Sequence, residues 1–302
     1  MIRAATSWKL RTRTLELGRR TLVMGVVNVT PDSFSDGFLV SEDAIAHALR
    51  LLDEGADIVD LGAESTRPGV TAGGSAAHGD APAVSAEEEQ ARLLPVLEGV
   101  LRERPGAIIS VDTYKAETAR AAIAAGAEIV NDVSGFAWDE GMARACAEAG
   151  CGVVLMHTRG RPDEWGIQRL LKPEGLMREV RMGLEASLAK ASAAGVERES
   201  IVLDPGYGFG KRGAENFTLL RRQAQLLDLG RPLLAAVSRK SFLGQALAPL
   251  YGGMTAPVGA RETASVAGMV AAILAGASIV RAHRVREAVE AALVADAVSG
   301  SR

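Results

Sequence analysis

The sequence predicts a (β/α)8 TIM barrel with a short N-terminal cap, on three observations. Eight short apolar runs alternate with eight stretches of helical spacing. Each run is continuous in Val, Ile and Leu rather than alternating, as strands covered on both faces must be. Every run also ends in polar residues at its C-terminal end, the end at which barrels carry their chemistry.

In chain order, the strands are expected at 22–28, 57–61, 107–112, 128–131, 152–157, 201–204, 233–238 and 278–283. The helices expected between and after them lie at 42–53, 86–102, 116–125, 140–149, 176–194, 217–227, 262–274 and 286–297, all rich in Ala, Leu, Glu and Arg. Ser41 and Ser85 precede acids and suit N-caps, while Gly126, Gly150, Gly195 and Gly276 suit helix stops. Alternation alone also fits a doubly wound open sheet. The count of eight, in a chain near the ~250 residues usual for the closed form, favours the barrel. One domain is expected over 1–302, with residues 1–21 as the cap over the barrel's bottom and about 22–298 as the barrel. The loop at 69–85, "GVTAGGSAAHGDAPAVS", is the one unusually long and flexible connection.

Composition excludes several classes. The 302 residues are 48% hydrophobic and 24% charged with a net charge of −3, values of an ordinary globular chain. Such a balance gives no footing for nucleic acid as a partner. No apolar run approaches the roughly 20 residues of a membrane span, and Met1–Arg13 lacks the apolar core of a secretion signal, so a cytoplasmic location is expected. Cys146 and Cys151 lack metal or redox spacing and read as reduced core residues. No HExxH or Cys/His cluster suggests zinc.

The polar strand ends sort into two sets. Asp112, Asn131 and Asp204 are acceptor-rich groups of the kind that recognise a flat ligand presenting adjacent N–H donors. Asp132 points the other way and reads as structural. Arg239, Lys240, Arg281 and His283, with Arg67 on the loop after strand two, are an anion-binding set placed where barrels frequently hold phosphate. Residues two apart share a strand face, so Arg281 and His283 address one ligand together, as do Ser238 and Lys240 if the seventh strand persists that far. In "DPGYGFGK" (204–211) glycine recurs at every second position, which suits a loop closing over a ligand rather than a helix or central strand. His47 and His78 read as surface residues, His157 as either a core or a site residue, and Trp8, Trp138 and Trp165 as packing.

Eight segments, "NVTPDSFSDG", "ESTRPG", "SVDTYK", "VND", "LMH", "LDPGYGFGK", "SRKS" and "RAH", together resemble the ordered signature of the dihydropteroate synthase family over roughly residues 22–298. The resemblance implies an enzyme that joins 4-aminobenzoate to (7,8-dihydropterin-6-yl)methyl diphosphate, giving 7,8-dihydropteroate and diphosphate in folate biosynthesis. It implies a pterin site of Asp112, Asn131, Met156, Asp204, Phe209 and Lys240. The diphosphate falls to Asn28, Thr66, Arg67, Arg281 and His283, with Asn28 also on Mg2+. The aminobenzoate falls to Phe34, Thr66, Pro68, Phe209, Lys240 and Ser241. Asp36, Lys240 and Asn28 are the catalytic candidates, and Phe34, Ser35 and Asp36 ride on a loop that folds over the site. A homodimer and competition by sulfonamides are further implications.

The chain departs from the family's usual pattern at Phe38, Ala63, Ala236 and Arg284, and in the length of the loop at 69–85. The alternatives are a pterin-binding methyltransferase-type domain, which has no use for the cations of "SRKS" and "RAH", and a non-catalytic pterin binder, which has no use for an arylamine site.

Overall fold

Eight parallel strands close into a barrel in the computed structural model of the chain, which describes residues 6–29, 37–64 and 84–300. A hairpin comes first: β1 (Thr6–Lys9) pairs antiparallel with β2 (Thr14–Leu17). The barrel strands are β3 (Leu22–Asn28), β4 (Ile58–Gly62), β5 (Ile109–Asp112), β6 (Ile129–Asp132), β7 (Gly152–Met156), β8 (Ile201–Asp204), β9 (Leu234–Ala235) and β10 (Ile279–Ala282). They pair in the order β8-β7-β6-β5-β4-β3-β10-β9, and a parallel bridge between Leu203 and Leu233 joins the two ends. That closure separates the molecule from an open doubly wound sheet.

Around the barrel run α1 (Gly37–Asp53), α2 (Ala86–Glu103), α3 (Ala116–Ala124), α4 (Met142–Ala149), α5 (Pro173–Ala194), α6 (Ala214–Arg222), α8 (Glu262–Leu274) and α9 (Val285–Ser299). A short extra helix, α7 (Ser241–Ala246), stands between β9 and α8. Ser85 caps α2, its Oγ accepting from the Glu88 amide at 3.1 Å beside three acids in the first turn. The four glycines expected to stop helices all take positive φ. The helix expected at 217–227 changes form partway: α6 ends at Arg222 and continues as a 3-10 turn through Leu229. The change falls at Gln223, whose buried amide accepts from the Tyr207 hydroxyl at 2.6 Å and donates to the Ala272 carbonyl at 3.0 Å.

The two-residue period of the strands divides their side chains. Outward residues such as Val59, Leu61, Val111, Val153 and Leu203 join the helices in the main core. Inward residues Leu22, Met24, Ile58, Ile129, Val154, Val202, Leu234 and Ile279 fill the lower barrel, and Trp8, Leu10 and Leu17 of the hairpin close it from beneath. Fully burying each such aliphatic side chain contributes about 1.5–3 kcal/mol. The indole of Trp8 donates to the Ser200 carbonyl at 2.9 Å, and the buried Glu128 carboxylate accepts from the Thr12 amide at 2.9 Å. The hairpin is thus the expected bottom cap. Both cysteines are free and buried. Among the described residues no helix is long and apolar enough to cross a membrane.

Candidate active site

The inward face changes chemistry one step up each strand. Ile58 is followed two residues on by Asp60, Ile129 by Asn131, Val154 by Met156, Val202 by Asp204 and Ile279 by Arg281. The same strand period that fills the bottom with aliphatic groups therefore lays a polar floor above them, at the C-terminal mouth.

Arg281 is the hub of that floor. Its Nε donates to Asp60 Oδ2 at 2.6 Å and its Nη2 donates to Asp112 Oδ2 at 2.7 Å. Asn131 donates its amide to the same Asp60 oxygen at 3.1 Å. The acidic and cationic sets read from the sequence thus meet on one guanidinium instead of standing apart. Burial pushes the Asp112 carboxyl up to about 7, against the pull of Arg281 and with the help of Asp60. Burial pulls the Arg281 guanidinium down, but Asp60 and Asp112 more than offset it and hold the cation. Asp60 Oδ1 and Ser110 Oγ, on residues paired across β4 and β5, are buried and have no hydrogen-bond partner among the described residues.

Asp204 and Lys240 influence each other through their charges. Burial raises the Asp204 carboxyl, while the Gly206 amide, donating to Oδ1 at 2.7 Å, lowers it. Burial lowers the Lys240 ammonium to about 8, opposed by the attraction of Asp204. Lys240 Nζ lies 4.0 Å above the centre of the Phe209 ring, a cation–π contact. Phe209 in turn meets Trp165 edge-on at 5.0 Å, and Met156 joins them in a small apolar cluster at the mouth.

The glycine-spaced loop is rigid rather than open. Gly206 and Gly210 both take φ of +71°, and a Cβ at either would strike backbone or side-chain atoms of His157 or Arg159. Lys211, buried, donates Nζ to the carbonyls of Gly206 at 2.7 Å, His157 at 3.0 Å and Phe209 at 3.2 Å. Burial lowers its ammonium to about 7. His157 itself packs against Gly183 of α5, with burial holding the ring well below its usual range. Asp132 is structural: its carboxylate accepts from the Ser134 and Phe136 amides at 2.7 and 2.8 Å.

At the rim, β9 is only two residues long and does not reach Ser238 or Lys240. Arg239 instead takes φ +60°, held by its amide to Ser265 Oγ at 2.9 Å and by Arg261 on its carbonyl. This reversal puts consecutive side chains to different uses: Arg239 pairs with Glu262 of α8 at 2.6 Å, while Lys240 sits over Phe209. Ser241 follows, exposed, as the first residue of α7. His283 Nδ1 lies 3.0 Å from Ser238 Oγ, and Asn28 ends β3 with an exposed side chain. Glu64, at the base of the loop after β4, accepts from the Tyr114 hydroxyl at 3.0 Å and pairs with Lys115.

Of the residues expected in the site, Asp112, Asn131, Met156, Asp204, Phe209, Lys240 and Arg281 come together at one mouth, with Asn28, His283 and Ser241 at its rim. Phe34, Asp36, Thr66, Arg67 and Pro68 lie outside the described residues, as does the side chain of Phe38. Asp60, Ser110 and Lys211 were not anticipated. A charge inside the buried run "IVDLG" is the signal that marks Asp60. Among the described residues no group of three or more His, Cys, Asp or Glu is arranged to hold a metal ion.

Comparison with known proteins places this geometry. The profile described as "Pterin binding enzyme" matches residues 24–283. The dihydropteroate synthase of Mycobacterium leprae is 43% identical over 91% of this chain and 92% of its own length. The dihydropteroate synthase of Xanthomonas albilineans, solved with 4-aminobenzoic acid, is 40% identical, covers 97% of this chain and 98% of its own, and superposes with a TM-score of 0.82. A structure from the same organism in complex with 7,8-dihydropteroate is 36% identical with a TM-score of 0.80, covering 97% of this chain and 98% of its own.

Proposed function

This chain belongs to the pterin-binding enzyme family and groups with its dihydropteroate synthases, and on that premise we propose how its own residues divide the work. It is a transferase of folate biosynthesis, joining 4-aminobenzoate to (7,8-dihydropterin-6-yl)methyl diphosphate. The C–O bond to diphosphate breaks, a C–N bond to the arylamine forms, and the amine gives up a proton.

The observation that supports this division is the polar floor one step above the apolar filling, with Asp204, Asn131 and Asp112 within the field of Lys240 and Arg281. The aminopyrimidinone edge of the pterin presents adjacent N–H donors, which Asp204 and Asn131 accept and orient. Met156 and Phe209 supply the apolar walls of the slot. Lys240, over Phe209, reaches pterin and aminobenzoate together, and exposed Ser241 meets the carboxylate end of the aminobenzoate with Phe34, Thr66 and Pro68. Diphosphate sits at the rim on Asn28 and His283, aided by Thr66 and Arg67, with Arg281 behind it. Cations placed where charge develops on the leaving group stabilise the transition state. A neutral arylamine is already nucleophilic, so the site needs no strong general base.

Mg2+ fits the rim. Asn28 offers a hard amide oxygen at the open end of β3, and Mg2+ characteristically takes few protein ligands and completes its shell with water and phosphate oxygens. Asn28 would hold it, and when bound it neutralises charge on the diphosphate. The same reading includes a homodimer and a cytoplasmic location. Supporting the first are the exposed apolar residues Leu293, Val294 and Val298 on α9 and Leu274 at the end of α8.

The test is a product assay with the purified chain, both substrates and Mg2+, with and without a sulfonamide. Stoichiometric 7,8-dihydropteroate and diphosphate, with inhibition competitive against 4-aminobenzoate, is the expected result. Tight binding of the pterin diphosphate without product would leave a non-catalytic binder, and methyl transfer to a corrinoid protein would leave the methyltransferase reading.

A further inference from the structure

Trp165, on the connection between β7 and α5, takes no part in the division of work set out above. Its own segment holds it firmly. The chain makes a 3-10 turn over Pro162–Ile167, in which the Arg161 amide donates to Glu164 Oε2 at 2.7 Å and the Glu164 amide to the Arg161 carbonyl at 2.9 Å. That turn sends the indole inward, 5% exposed between exposed Glu164 and Gly166. Its Nε1 donates toward Thr158 Oγ1 at 3.1 Å and the Gly160 carbonyl at 3.3 Å. The buried Arg159 guanidinium ties this segment to the glycine-spaced turn, donating to the Arg169 carbonyl at 3.0 Å on one side and the Gly210 carbonyl at 3.1 Å on the other. Indole and turn are therefore parts of one wall.

Phe209 stands on that turn with its backbone fixed. Its amide donates to the Gly206 carbonyl at 3.3 Å, and its carbonyl accepts from Lys211 Nζ at 3.2 Å. The plane of the ring is left to its neighbours, and Trp165 sets it, meeting the ring at 5.0 Å with the two planes 85° apart. A perpendicular contact puts the positive edge of one ring against the negative face of the other, so it fixes orientation as well as distance. The face of Phe209 carries Lys240 Nζ at 4.0 Å. The lysine stem passes over Gly208, where a Cβ would stand 3.4 Å from Cδ. Nζ makes no hydrogen bond with the described residues, so the ring is the contact that places it. The charges that reach it are Asp204 of β8 and Asp112 of β5, which attract, and Arg281 of β10 and Lys211 of the turn, which repel.

We propose that Trp165 is a positioning residue for the reaction, fixing the plane of the Phe209 ring so that its face carries the Lys240 ammonium. Its effect on turnover rests on the reaction proposed above, whereas its effect on Lys240 does not. A ring face attracts the ammonium and not the neutral amine, so it favours the charged form against the burial that lowers it to about 8. Letting the ring turn away removes that support, and Lys240 gives up its proton at lower pH.

Two variants separate the ring edge from the rest of the indole. Trp165→Leu keeps an apolar side chain and loses the edge, while Trp165→Phe keeps an edge and loses only the Nε1 donor. Trp165 belongs to a small cluster at the mouth, apart from the main core, so both chains should fold. The first readout is the titration of the Lys240 Cε resonance in the full chain without substrates. Its midpoint should fall by about half a pH unit in Trp165→Leu and stay at the wild-type value in Trp165→Phe. The second readout is steady-state kinetics at pH 7. KM for 4-aminobenzoate should rise about three- to tenfold in Trp165→Leu with kcat within about twofold, and Trp165→Phe should recover most of the loss. The alkaline limb of kcat/KM should move with the Lys240 midpoint. A Lys240 midpoint that stays in place or rises in Trp165→Leu overturns the inference, as does Trp165→Phe behaving like Trp165→Leu. The predicted midpoint shift in a chain that forms no product would uphold the inference and count only against the reaction.

Discussion

Arg281 donates to Asp112 across the barrel mouth, Nη2 to Oδ2 at 2.7 Å, while its Nε holds Asp60. One guanidinium therefore holds one buried carboxylate, Asp60, and one half-buried, Asp112. Arg281→Met should lower stability by about 3–5 kcal/mol, the usual effect of removing one partner of a buried ion pair. The loss should depend on pH. Burial raises Asp112 from 3.8 to about 7, so its contribution to stability is present below 3.8 and lost as pH rises through about 7. Without Arg281 the charged form is worse still. Urea unfolding should show a larger deficit at pH 8 than at pH 5.5, and equal deficits would count against the pairing.

Asp204→Asn keeps an oxygen for the Gly206 amide and removes the charge to which we assign the orientation of the heterocycle. Losing charge assistance from two hydrogen bonds amounts to about 2–4 kcal/mol, or roughly 30- to 1,000-fold in pterin affinity. The folded state should melt near the wild type, since a buried charge is relieved. Fluorescence titration with a pterin measures the affinity, and a near-normal value would reassign Asp204.

Lys240 carries a pH signature. Its ammonium, lowered to about 8 by burial, loses its proton as pH rises through that value. kcat/KM should fall along the same limb. Lys240→Arg should retain partial activity and flatten it, because a guanidinium stays charged. Lys240→Met should lose at least about tenfold and show no limb near 8.

Lys211 is a staple. Replacing it with Met leaves three carbonyls without their donor, each unsatisfied group being worth about 1–3 kcal/mol. Stability in urea should drop by at least about 3 kcal/mol. Because Phe209 rides on the released turn, KM for 4-aminobenzoate should rise more than kcat falls. A stability loss with unchanged KM would make the lysine a purely structural residue.

Much of this was legible in the sequence. The eight apolar runs locate the strands, and reading their ends gives Asp112, Asn131 and Asp204, because a strand exposes its chemistry where its cover stops. No strand end marks Asp60: it lies inside β4, two residues before the end, and serves by holding Arg281. Lys211 escaped because its partners are backbone carbonyls from two loops, which no spacing records. Extending the seventh strand through 238 failed for a local reason. Arg261 and Ser265 clamp Arg239 in a left-handed turn, and tertiary contacts overrode the apolar run. The hairpin beneath the barrel was foreseen as a cap but not as two strands, its alternation being only four residues long on each side.

The most direct measurement is a crystal structure of this chain soaked with (7,8-dihydropterin-6-yl)methyl diphosphate in the absence of 4-aminobenzoate. The pyrimidinone edge is expected on Asp204 and Asn131, with the diphosphate beside Asn28 and His283. Heterocycle density away from the polar floor, or diphosphate on a different face of the barrel, would contradict the assignment of these residues.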